Sequence, residues 1–266
     1  MDLKRIFSII IFVIFVSGFL VGALAFINKK EDENITKNFK LKESEFPGVK
    51  YVNITIESNT SGVKLSFENS TNEICNFNVG HNIKTNPVFN YTIYGDTLNV
   101  KLKLNKGSTS VFLSNKYIYN ITINDKVGGV EITLGNNSKI DMLNVNINYF
   151  GGGKLKIQDV VFKNIKLNVN TGGFNILNTG LLYNGSINTN VTIGGVSMLL
   201  NSLSPIRIIS DVDSGGISFN ANTKNAVILE NTTNHLELET KSYTLSKNGV
   251  EVVNKVGLGG INIDMI

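Results

Sequence analysis

Glycine pairs recur along most of this chain at a nearly constant interval, and that interval most restricts what the chain can fold into. They fall at Gly128-Gly129, Gly151-Gly152, Gly172-Gly173, Gly194-Gly195, Gly215-Gly216 and Gly259-Gly260, and their second members are 23, 21, 22, 21 and 44 residues apart. Gly107 lies 22 residues before Gly129, and Gly62 a further 45 before that. Such self-similarity is the signature of a repeat architecture. After each pair, apolar residues alternate with polar ones: Val130, Ile132, Leu134; Phe174, Ile176; Val196, Met198, Leu200; Ile261, Ile263, Met265. A second alternating run sits later in the repeat, as in Leu143, Val145 and Ile147 with asparagines between. Period two predicts half-buried strands. Strand, turn, strand and glycine step then make one coil of about 22 residues, with nine periods from Gly62 to Gly260. The interval of 44 reads as two periods, the missing pair being replaced near Asn234-His235.

The second glycines Gly129, Gly152, Gly173, Gly195, Gly216 and Gly260 are therefore expected to be structural. A coil corner needs a residue that takes positive φ or lets backbones approach closely, and glycine does both. Phosphate cradling would require a helix after the glycines, and a strand follows every time. Composition agrees. Charged residues are only 17%, against about 25% in an average domain. Asparagine occurs 39 times, and Asn, Gly and Ile are all poor helix formers. Stacked asparagine amides are expected to hydrogen-bond along the outer strand faces. The fold class is all-β, a β-solenoid of stacked coils behind one N-terminal transmembrane helix.

Residues 6–27 carry no charge. As a helix they would reach about 33 Å, enough for a hydrocarbon core of about 30 Å. A cleaved signal peptide ending at Ala23-Leu24-Ala25 is the alternative, but the stretch exceeds the roughly 7–15 apolar residues of such peptides. An uncleaved signal-anchor is expected. Gly18 and Gly22 form a G-x-x-x-G through which two such helices could pair as a homo-oligomer. The division that follows is a cytoplasmic tail at 1–5, the anchor at 6–27, a charged linker at 28–45, an N-terminal β region or cap at 46–106, and the solenoid at 107–266. Glycosylation sequons stand at Asn34, Asn53, Asn59, Asn69, Asn90, Asn120, Asn136, Asn184, Asn190 and Asn231. Any that is used lies outside the cytoplasm. A single-pass cell-membrane protein with an extracellular C-terminal domain is expected.

The run from Ile121 through Gly128-Gly129-Val130-Glu131-Ile132 to Gly151-Gly152-Gly153-Lys154-Leu155 resembles the toast-rack type of β-solenoid domain. That group is related to the C-terminal domains of Lia-type envelope-stress proteins and to adhesin domains of prokaryotes. The resemblance covers about residues 107–266 and implies surface location and no known catalysis. Lia-type proteins usually have several spans where this chain has one. The motif is a packing rhythm and supplies no functional residue.

Little chemistry is legible. Asp211 and Asp213 share a strand face, as do Glu237 and Glu239, and paired carboxylates can serve as acid and base. Solvated strand-face charge is the commoner role. His81 and His235 are isolated, which speaks against zinc. Cys75 stands alone and has no intrachain disulfide partner. Net charge is +4 and pI about 9.0, yet the lysines are scattered and no basic face for nucleic acid emerges. No catalytic, cofactor or metal residue is expected. The reading is a structural, adhesive or envelope-interacting surface protein that meets an envelope polymer or another surface protein. A regulatory ectodomain signalling to a membrane partner and a carbohydrate-active β-helix are the alternatives.

Overall fold

The computed structural model describes residues 34–69, 72–221, 225–246 and 248–266. The expected anchor at 6–27, with Gly18 and Gly22, lies outside them. Among the described residues no helix is long and apolar enough to cross a membrane.

The described chain is almost entirely β. Eight long strands of 16 to 19 residues carry it: β2 (Tyr51–Glu68), β5 (Thr97–Ser114), β6 (Ile118–Leu134), β7 (Lys139–Ile157), β8 (Val161–Asn178), β9 (Gly185–Leu200), β10 (Ile206–Ala221) and β13 (Val250–Met265). Five shorter ones are β1 (Asn34–Lys42), β3 (Glu73–Asn82), β4 (Val88–Tyr94), β11 (Ala226–Asn231) and β12 (His235–Thr240). A 3-10 turn at Glu43–Glu45 and the short helix α1 (Lys241–Leu245) are the other regular elements among the described residues. All 13 strands join one open sheet, ordered β1-β3-β5-β2-β6-β7-β8-β9-β13-β10-β12-β11, with β4 beside β5.

The long strands pair in parallel, although only residues 135–138 separate β6 from β7. A straight strand of 17 residues is about 56 Å long, and a four-residue link reaches no more than about 18 Å. Each long strand must therefore bend until its ends approach. The bend is at the glycine pair. From Ile165 to Leu177 the buried residues of β8 are Ile165, Leu167 and Val169 before the pair and Phe174 and Ile176 after it, so the inward face changes from odd to even positions there. Pairing continues through the bend, where Gly128, Gly151, Gly172, Gly194, Gly259 and Gly215 stand side by side on successive strands.

One apolar row shows how the core is built. Val100, Ile54, Ile121, Leu143, Ile165, Ile187, Val252 and Ile208 occupy matching positions on the eight long strands, each at most 2% exposed. Burying such a side chain contributes roughly 2 kcal/mol, and no single strand could bury its own row.

The spatial order departs from the order along the chain. Counting glycine steps gives nine periods in sequence; the structure has eight long strands, with β2 between β5 and β6 and β13 between β9 and β10. Nor is the interval from Gly216 to Gly260 a skipped coil. It holds the β11–β12 hairpin and α1, and β12 runs antiparallel to β10, with His235 opposite Asp211. Side-chain alternation alone cannot distinguish parallel from antiparallel partners, because both put every second residue inward.

Candidate functional site

At the far end of the sheet, β10 and β12 bring together the residues that might have formed a hydrolytic pair. Val212 is buried, so Asp211 and Asp213 face away from the core. Asp211 Oδ1 lies 2.6 Å from His235 Nδ1, and the carboxylate holds the imidazole above its usual range. His235 Nε2 is 3.8 Å from Glu230. Glu237 and Glu239 sit either side of Arg207, Glu237 hydrogen-bonded to it and Glu239 at 3.6 Å. Asp211, Glu237 and Glu239 are thus each engaged by a cation of the paired strand.

The remaining candidates are dispersed. His81 is fully buried beside the corner, where its Nδ1 is 2.8 Å from the Asn82 carbonyl. Cys75 is buried opposite Leu113, and burial pushes its thiol up to about 12, far from nucleophilic use. Among the described residues no three His, Cys, Asp or Glu side chains converge as a metal site would need.

The sequon asparagines divide by what their amides do. Asn53 Nδ2 donates to Asn99 Oδ1 at 2.8 Å, and Asn120 Nδ2 donates to Asn53 Oδ1 at 3.0 Å. Asn59 donates to Asn105 at 2.7 Å, and Asn136, at φ 56, donates to the Phe67 carbonyl at 2.6 Å. In these four the nitrogen that would carry a sugar is engaged in the fold. Asn69 accepts from Asn115 at 3.2 Å. Asn90, Asn184, Asn190 and Asn231 are exposed, and Asn34 opens β1. A second amide ladder joins Asn124, Asn146 and Asn168 through bonds of 2.7 and 2.8 Å.

The glycine corner places its strictest demand one residue earlier than the second glycines. Gly151, Gly172, Gly194, Gly215 and Gly259 have φ between 136° and 152°. A Cβ at Gly172 would overlap the Gly151 carbonyl oxygen, and one at Gly194 would overlap that of Gly172. At Gly129 and Gly216 a Cβ would meet only ordinary contacts of 3.9 and 3.7 Å.

One recess was not anticipated. Where the chain leaves the 3-10 turn, residues 46–50 pass over the starts of β2, β6 and β7 and leave a cleft of about 410 Å³. Tyr51, Ile118 and Lys139 are neighbours across these three strands. Lys50, Lys116, Tyr117 and Glu43 complete the wall. Glu43 is 2.7 Å from Lys116 Nζ, a hydrogen bond that holds its carboxyl below the usual range. Burial, with the Glu43 charge beside it, pushes the Tyr117 phenol up to about 12. The dipeptides Lys50-Tyr51 and Lys116-Tyr117, each at a strand start, are the one sequence signal that could have marked this place.

The described architecture recurs in a solved protein. A "putative cell adhesion protein" from Clostridium sporogenes ATCC 15579 superposes with a TM-score of 0.50 at 14% identity, over 88% of this chain and 100% of that one. The chain has the adhesin-like β-solenoid fold. "Putative adhesins" from Bacteroides fragilis NCTC 9343 and Parabacteroides merdae ATCC 43184 align over 88% of this chain and 98% and 96% of theirs, at 12% and 11% identity and TM-scores of 0.31 and 0.29. No protein-family model and no curated protein sequence matches the chain. At 14% identity a fold is what is shared with the Clostridium sporogenes protein, and no site residue passes from one protein to another.

Proposed function

We propose that this chain is a cell-surface protein whose β-solenoid projects from the membrane and engages envelope polymers or other surface proteins. In this reading residues 6–27 anchor it as a single span, with 34–266 outside. The observation that carries the reading is the fold shared with the Clostridium sporogenes protein over 88% of the chain. The surface supports it. Ile193 and Leu258 are neighbours along the glycine corner, 41 and 53% exposed, with Phe150 in the same row beyond Thr171, and exposed apolar side chains grouped in this way favour contact with a partner. The proposed role is non-catalytic, a reading that the engagement of Asp211, Glu237 and Glu239 by His235 and Arg207 supports.

Topology is the test. Protease added to intact cells is expected to digest the region from 34 to 266. If that region survives in intact cells and is cut only after lysis, the surface reading is wrong.

A further inference from the structure

The cleft at the starts of β2, β6 and β7 concentrates positive charge and aromatic surface in one place. Three ammonium groups, on Lys50, Lys116 and Lys139, meet a single carboxylate in its wall, that of Glu43. Glu43 neutralises Lys116. Lys50 is 72% exposed and has only Asp96 near it, at 3.9 Å. Lys139 is exposed and has no acidic partner among the described residues. Tyr51, next to Lys50 in the chain and in register with Lys139 across Ile118, is 37% exposed. Fixed pairing of β2 with β6 and of β6 with β7 holds Tyr51 and Lys139 two strands apart, about 10 Å, so the site needs little ordering on binding. Its volume of about 410 Å³ falls within the roughly 300–1,000 Å³ of small-ligand sites.

We propose that this cleft binds a short stretch of anionic glycan, its acid groups facing Lys50 and Lys139 and a sugar ring laid on Tyr51. A flat ring suits the apolar C–H face of a sugar, and lysines offer point charges to carboxylate or phosphodiester groups alike. An anionic lipid surface would also meet the lysines, and the Tyr51→Ala variant separates it from a glycan, whose ring depends on that side chain. The inference rests on the surface reading for where such a glycan is encountered. Binding by purified protein does not depend on topology, so failure here and failure of the protease experiment are separate results.

The test titrates the purified full chain with oligogalacturonate, with phosphodiester-linked hexose oligomers, with methyl-esterified oligogalacturonate, and with phosphatidylglycerol vesicles. At least one anionic oligomer is expected to bind, and which one identifies the acid group. The methyl ester is expected to bind at least about tenfold more weakly than oligogalacturonate if carboxylate is read. Lys50→Glu with Lys139→Glu is expected to weaken binding by about tenfold or more, and Tyr51→Ala by a smaller factor, with melting temperature unchanged. Binding of neither oligomer overturns the proposal. So does equal binding by wild type and the double charge reversal. Vesicle binding that Lys50→Glu with Lys139→Glu abolishes and Tyr51→Ala leaves intact, without oligomer binding, would make this a lipid-facing patch and would also overturn it.

Discussion

The same corner is built in two ways. Between β7 and β9 it is made of backbone alone: Gly151, Gly172 and Gly194 stand in one row, and the inward residues just before them are Ile147, Val169 and Val191. Between β2 and β6 the glycine row contains Ser61, and the apolar row contains Ser58 and Asp125. Ser61 Oγ bonds Ser58 Oγ at 2.8 Å and reaches Asp125 Oδ2 at 3.4 Å. Asp125 is fully buried, its Oδ1 has no hydrogen-bond partner, and burial raises its carboxyl to about 6. The difference teaches that a tight turn costs little when glycine makes it. A hydroxyl at the same place must be answered by other polar groups inside the core, each of them costly to bury.

The largest effect is expected from breaking the glycine version. Gly172→Val places a Cβ against the neighbouring carbonyl at φ 138° and should cost on the order of 4 kcal/mol or more, seen as a collapse of the denaturant midpoint or as insoluble protein. Gly129→Ala, where a Cβ meets nothing closer than 3.9 Å, should stay within about 1 kcal/mol of wild type. Equal losses at both positions would mean that the row does not set the corner.

The serine version can instead be improved. Asp125→Val restores the apolar row formed by Val169, Val191, Val256 and Val212, and should stabilise the chain by about 2 kcal/mol at pH 7.5. Because the folded carboxyl sits near 6, above its ordinary 3.8, the native state binds the proton more tightly than the unfolded one. Wild-type stability from this group is therefore complete below about pH 3.8, falls as pH rises towards 6, and is flat above. Relative to Asp125→Val, wild type should lose about 3 kcal/mol across that window in parallel unfolding titrations. A constant difference between the two proteins from pH 3.5 to 7.5 would show that Asp125 is not buried as described.

How much of this was readable in advance differs between the two corners. Alternation and glycine spacing announce the strands, the bends and the apolar rows, because each is a local demand of a coil on its own residues. Neighbour identity is a different matter. Every long strand presents a similar apolar row, so nothing in β9 favours β13 over β10 as its partner; the choice rests on long-range packing and on the β11–β12 hairpin. Asp125 looks like any polar residue between Asn124 and Lys126 until Ser58 and Ser61 are seen beside it. The cleft is hidden for the same reason, since Lys50 and Lys139 meet only through strand register.

The smallest expected effect sharpens the comparison from the outer face. Asn146 donates to Asn124 and accepts from Asn168 across the glycine-cornered strands, so Asn146→Ala should cost about 1 kcal/mol. Asn190→Ala, at an exposed position on β9, serves as the reference, and thermal melts that fail to separate the two would remove the ladder from the list of stabilising features.

The insertion of β13 between β9 and β10 makes the latest strand in the sequence the keystone of the sheet. A nascent chain can stack β6 to β9 as they emerge, but β10 then has no long strand to lie against, and the far edge of β9 stays bare. Only when residues 250–265 arrive is the row from Ile187 through Val252 to Ile208 closed. Until then the chain carries an unpaired, apolar edge of the kind that recruits other strands. Folding of this chain thus has a vulnerable interval that lasts until the translation of β13.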